Sequence, residues 1–258
     1  MTWFRDVRAH SGMSLFVAGA LALWLALTCF LGASGSFVRP PGVPPLPILV
    51  GATLPLLVFV GAWLASEAFR YFVLDADLRL LTALQAWRAG GLGFLALHTH
   101  GALAGLFAWL AGLGDVAIGV TAPWVALALV RQPSFFASRA FAMWNLLGVL
   151  DLVVAVSSGV LSTGFLGVFT GSDTTATMTK LPLVLVPAYL VPLFLMLHFA
   201  ALLQWRRYAP LAPLAQEVCR LIDPVEGRPG RDDVERGRAP TPAEQWSAPA
   251  TRAARVSW

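Results

Sequence analysis

Lys180 to Arg207 reads KLPLVLVPAYLVPLFLMLHFAALLQWRR. Between its terminal charges lie about 25 nearly unbroken apolar residues, enough to cross a ~30 Å hydrocarbon layer as a helix rising ~1.5 Å per residue. The stretch opens on the only lysine of the chain and holds Pro182, Pro187, Pro192 and His198. It closes on Trp205, Arg206 and Arg207, an aromatic and basic group suited to a membrane surface. The chain before this stretch is largely hydrophobic; the chain after it is not.

Working outward, the whole sequence divides in the same way. Of 258 residues, 57% are apolar and 12% charged, which excludes an ordinary soluble globular domain. The net charge of +4 comes mostly from arginines at the ends of apolar runs. That distribution belongs to topology signals, and no nucleic-acid partner is expected. Cys29 and Cys219 fall in a span and in the tail, so neither a disulfide nor a cysteine metal site is expected.

The pattern predicts an all-α, polytopic transmembrane helix bundle of about six spans, over 13–32, 48–69, 80–100, 115–131, 140–161 and 181–205. The first run, near 19 residues, exceeds the usual signal-peptide core of roughly 7–15, so it reads as an uncleaved span. Gly101 to Gly114 is apolar but too short to cross, and reads as a half-length interfacial or re-entrant segment. Leu211, Leu214, Val218 and Leu221 make one apolar stripe, predicting a short amphipathic helix over 208–222. Residues 223–258 are rich in Pro, Gly, Arg and acids without periodicity, and are expected to be a disordered tail.

Six spans put both termini on one side. Arg5, Arg8, Arg70, Arg79, Arg131, Arg139, Arg206 and Arg207 then share that side, and only Arg39 and Lys180 lie opposite. An excess of this kind marks the cytoplasmic face. The expected location is therefore the inner membrane, with cytoplasmic termini.

Polar groups at membrane depth are costly and draw attention first. Counting from each cytoplasmic arginine at ~1.5 Å per residue, Asn145 lies about 9 Å deep, His198 about 12 Å, Arg88 about 14 Å and Asp151 about 18 Å. These four form a candidate cluster, with Arg88 paired to Asp151; a binding site and a structural ion pair both remain open. Trp144, Gly148 and Asp151 share one helix face, so a small residue leaves room beside the acid. Glu67 lies close enough to the surface to snorkel. Lys180, at a helix entrance, reads as a loop-end residue. Pro187 and Pro192 would free the carbonyls of Leu183 and Ala188.

A second group, His98, His100 and Asp115, is expected at the opposite membrane face. Two histidines and a carboxylate suit Zn or Cu, but a His-x-His pair inside a helix splays its rings apart, so the site requires the helix to end there. Bis-histidine haem ligation with His198 fits poorly, because the depths differ. No cofactor is predicted. No hydrolase, Walker, zinc-protease or dinucleotide motif occurs in a fitting context.

Three stretches carry a resemblance: AGLGDVAIGVTAPWVAL (Ala111–Leu127), WNLLGVLDLVVAV (Trp144–Val156) and LPLVLVPAYLVPLFLMLH (Leu181–His198). Together they resemble a family of small polytopic bacterial membrane proteins described only as hypothetical membrane proteins. The resemblance implies a bacterial inner-membrane location and transfers no catalytic residue. The leading expectation for function is a non-enzymatic membrane protein that binds or moves a small molecule, or serves as a subunit beside other membrane subunits, in contact with the lipid bilayer. A membrane enzyme using His and Asp groups, or a metal- or haem-binding redox protein, are the alternatives.

Overall fold

The computed structural model describes residues 3–40, 43–163, 175–211 and 214, with side chains from residue 12 onward. The described structure is all-helical: α1 (Trp3–Ala33), α2 (Leu46–Ala65), α3 (Glu67–Asp75), α4 (Leu78–Leu84), α5 (Leu92–Thr99), α6 (Gly105–Arg131), α7 (Arg139–Leu161) and α8 (Val191–Tyr208). Within it, six helical stretches are long and apolar enough to cross a membrane: 12–33, 46–65, 78–99, 105–131, 139–161 and 186–211. Large apolar side chains such as Leu23, Leu57, Trp124 and Leu150 point outward. Outward apolar surface of this extent suits lipid as the surrounding solvent.

Local chemistry sets the helix ends. The span predicted over 48–69 stops at Ala65, because Ser66 turns extended and its hydroxyl caps α3 by accepting from Phe69 N–H at 3.2 Å. Arg70 then donates back to the carbonyls of Trp63 and Leu64 at 3.2 and 3.1 Å, satisfying the C-terminus of α2. Glu67 therefore sits in the first turn of α3, outside α2. Asp77 caps α4 and Ser138 caps α7 in the same way.

Two corrections concern the middle of the chain. The stretch 101–114 is not a half-length segment. Gly105 starts α6, which runs unbroken to Arg131 and absorbs most of the predicted loop. The separation occurs earlier: α5 ends in a left-handed Gly101 (φ +67), with Gly101 N–H on His98 O and Ala102 N–H on Leu97 O. That paired pattern is a Schellman stop, which glycine permits. The third span is also not a uniform helix. Gln85–Gly91 tightens into a 3-10 turn between α4 and α5.

The last span differs from its predicted bounds as well. Lys180 to Val184 form turns, Val186–Leu190 is a π segment, and α8 follows. Restarting the helix twice places Pro187 and Pro192 in first turns, where a missing N–H costs little. The Leu183 carbonyl, expected to be freed by Pro187, accepts from Val186 N–H at 3.0 Å. Gln204 ties this helix to the α3–α4 turn by donating to Val73 O and Ala76 O at 2.9 and 2.8 Å. The predicted surface helix over 208–222 and the tail over 223–258, with Cys219, lie outside the described residues beyond Leu211 and Leu214. Cys29 is half-buried on α1.

Candidate functional site: a buried guanidinium between two carboxylates

The 3-10 turn exists where two backbones nearly touch. A Cβ on Gly119 of α6 would lie 2.2 Å from Ala89 N and 2.7 Å from Arg88 C. A Cβ on Gly91 would lie 2.6 Å from Asp115 Cβ. Glycine at both positions lets the turn press directly onto α6, the close approach that small residues give membrane helices. The result is that Arg88 is thrust into the bundle, where it is only 2% exposed.

Its guanidinium then meets three helices. Nε donates to Asp115 Oδ1 of α6 at 2.7 Å. Nη2 donates to Asp151 Oδ2 of α7. Nη1 donates to Gly148 O of α7 at 3.4 Å and lies 3.1 Å from His198 Nε2 of α8. A guanidinium has donors only, so His198 Nε2 is the acceptor. The proton of His198 is thereby assigned to Nδ1, which donates to Asn145 Oδ1 at 2.9 Å. Asn145 Nδ2 completes the line by donating to Phe141 O at 2.9 Å. Trp144 closes one side, with its ring 5.5 Å from that of His198.

Glycines again make room. A Cβ on Gly148 would fall 2.2 Å from His198 Nε2, and one on Gly114 would overlap Asp151 Oδ1. With one guanidinium between two carboxylates, the cluster is neutral or negative whenever at least one carboxylate is ionised. Among the described residues no other cation pairs with either carboxylate.

The structure thus brings together Arg88, Asn145, Asp151 and His198, and adds Asp115. It does not bring Asp115 to His98 and His100. Because α6 begins at Gly105, Asp115 lies ten residues inside a helix, about 15 Å from its end. His98 Nδ1 contacts Leu103 O at 3.0 Å, and His100 Nδ1 contacts Ala96 O at 2.7 Å. Both rings serve the end of α5 locally, and no group of three metal-ligating side chains forms among the described residues. The signal that would have placed Asp115 is in the sequence: Gly112, Asp115 and Gly119 recur on one helix face, a smooth strip with one acid on it.

Beside the cluster lies a cavity of about 340 Å³. Phe94, Phe107, Ala111, Ala155 and Val191 give it apolar walls, and Asp115 is among its lining residues. Residues between α1 and α2 and residues ahead of the π segment also line it, including Arg39, Thr179 and Lys180. Asp115 therefore joins the two features. Its Oδ1 holds Arg88, while Oδ2 has no hydrogen-bond partner among the described residues.

Fold and site together define a polytopic helical bundle built around a buried Arg–dicarboxylate centre that adjoins an apolar cavity. The chain belongs to the DUF8737 family, a domain of unknown function, whose model matches residues 45–206. The match starts just before α2 and ends within α8, so it contains every member of the Arg88 cluster. It extends beyond the three stretches that carried the resemblance and leaves α1 and the tail outside. No curated protein and no solved structure matches the chain.

Proposed function

We propose that this chain is a non-enzymatic, multi-pass protein of the bacterial inner membrane, with cytoplasmic termini, that takes a small and largely apolar molecule into the cavity between its spans. The observation that carries this reading is the cavity itself: about 340 Å³, walled largely by apolar side chains, with one buried carboxylate, Asp115, among its lining residues. Ligand cavities commonly hold roughly 300–1,000 Å³, with mainly apolar walls and few polar groups. The eight-to-two arginine and lysine asymmetry supports the orientation. By that orientation the Arg39 and Lys180 end of the cavity faces away from the cytoplasm.

Ala155→Leu narrows the cavity from α7 without adding a polar atom. Native mass spectrometry of the full chain, extracted in a lipid-retaining polymer, is expected to find a bound small molecule on the wild type. The variant should be folded, by its melting profile, and should lack that molecule. Equal occupancy in both proteins, or none in the wild type with any apolar probe, would remove the cavity from the proposal.

A further inference from the structure

We infer that the ligand is a single-chain anionic amphiphile, held with its apolar chain inside the cavity and its charged head between Arg39 and Lys180. The inference rests on the cavity reading above and adds the chemistry of the head group.

Only two basic residues fall on the non-cytoplasmic side of the predicted topology. They are far apart in the chain, one following α1 and the other preceding the π segment. Folding brings both to the same cavity. Asp115 lies deeper, ten residues (about 15 Å) into α6, whereas Arg39 and Lys180 lie outside the helices that follow them. Neither forms an ion pair with a carboxylate among the described residues. Basic residues are depleted from this side of membrane proteins, so two converging on one cavity call for a function. Two cations beside an apolar chamber match an anion attached to an apolar chain.

The deeper end sets the direction. Arg88 is already paired with Asp115 and Asp151, so the deeper end offers an anionic head no free cation and is left to the apolar chain. A cationic amphiphile would have to pass Arg39 and Lys180 to reach Asp115, against their charge.

The test uses the full chain in amphipol, incubated separately with decanoate, decanol and decyltrimethylammonium, with occupancy read by native mass spectrometry. Wild type is expected to bind decanoate best. Arg39→Gln with Lys180→Gln should weaken decanoate by roughly tenfold, since two exposed ion pairs of ordinary strength make about that factor together. Decanol binding should be unchanged by the same double variant. Both residues are exposed, so the variant is expected to keep the wild-type melting temperature. Equal binding of decanoate and decanol would overturn the head-group assignment while leaving the cavity reading intact. Preferential binding of the ammonium compound, abolished by Asp115→Asn, would overturn it in favour of a cation. Failure of all three probes to bind would overturn both readings. An anionic single-chain lipid, such as a fatty acid or lysophospholipid, that survives delipidation on the wild type and not on the double variant would support the assignment and identify the bilayer as the source.

Discussion

Arg88 Nε donates to Asp115 Oδ1 at 2.7 Å, although the sequence reading puts Arg88 inside one span and Asp115 at the head of the next, and the two are 27 positions apart. The contact exists because α6 starts ten residues before Asp115, at Gly105, and because Gly119 and Gly91 let the 3-10 turn lie against α6. One guanidinium thereby joins the third, fourth, fifth and last spans.

Removing that guanidinium leaves two carboxylates without their partner in a low-dielectric interior. Arg88→Leu is expected to lose about 3–5 kcal/mol, the usual result of breaking a buried pair from one side. The triple variant Arg88→Leu, Asp115→Asn, Asp151→Asn should recover much of it, because no uncompensated charge remains. Thermal or SDS-induced unfolding reads both. A triple variant no better than the single one would mean that the loss came from packing, not charge.

Gly119→Ala should be among the most damaging single-methyl changes in the chain. Its Cβ would meet backbone atoms of Arg88 and Ala89, which cannot rotate away. Overpacking of this kind costs about 1–3 kcal/mol or more. Gly90→Ala and Gly93→Ala, whose Cβ positions are open, should leave the melting temperature nearly unchanged. Similar losses at all three positions would show that the close approach at Gly119 does not set the cost, since Ala is the better helix former.

Asn145→Ala removes the acceptor that fixes the His198 ring and leaves its Nδ1 proton unpaired in the bundle. A loss of about 1–3 kcal/mol is expected for a buried orphaned donor. Asn145→Asp retains an acceptor but adds a third acid near the cluster, and should be worse than Ala. An Asp variant as stable as wild type would contradict the charge count at the cluster.

The two outer histidines should behave unequally and independently of metal. His98→Ala loses the contact to Leu103 O under half-buried packing against Gly105, and should destabilise by about 0.5–1.5 kcal/mol. His100→Ala, exposed, should be near neutral. Zinc added to wild type is expected to leave the unfolding midpoint in place. A zinc-dependent rise lost in either variant would restore a metal site.

Orientation can be read with cysteines, after Cys29 and Cys219 are replaced by Ser. Cysteine at Arg39 should react with a membrane-impermeant thiol reagent in intact cells, and cysteine at Arg131 only after the membrane is opened. The reverse pattern would invert the proposed topology.

Much of the architecture was legible in the sequence, because hydrocarbon is an exacting solvent. Every backbone polar group must be paired within its segment, so an apolar run of sufficient length can only be a helix. The runs predicted near 48–69, 140–161 and 181–205 correspond to helical stretches long and apolar enough to cross a membrane, at 46–65, 139–161 and 186–211, and the caps at Ser66 and Ser138 follow ordinary hydroxyl chemistry. Four of the five side chains in the buried cluster could be assigned to it, since ionisable or amide groups at membrane depth stand out against an apolar background. Asp115 could be named but not placed. Its depth hinged on whether Gly101–Gly114 was a loop or part of a helix, and an apolar glycine-rich stretch satisfies either reading.

What tertiary structure alone decided was which polar groups meet. Depth along a span follows from counting residues. Rotation about the span and the identity of the facing helix depend on packing, here on methyl-sized gaps at Gly91, Gly114, Gly119 and Gly148. The same holds for Arg39 and Lys180: the sequence by itself put each of them at the edge of an apolar run, and only the folded bundle brought them to one cavity.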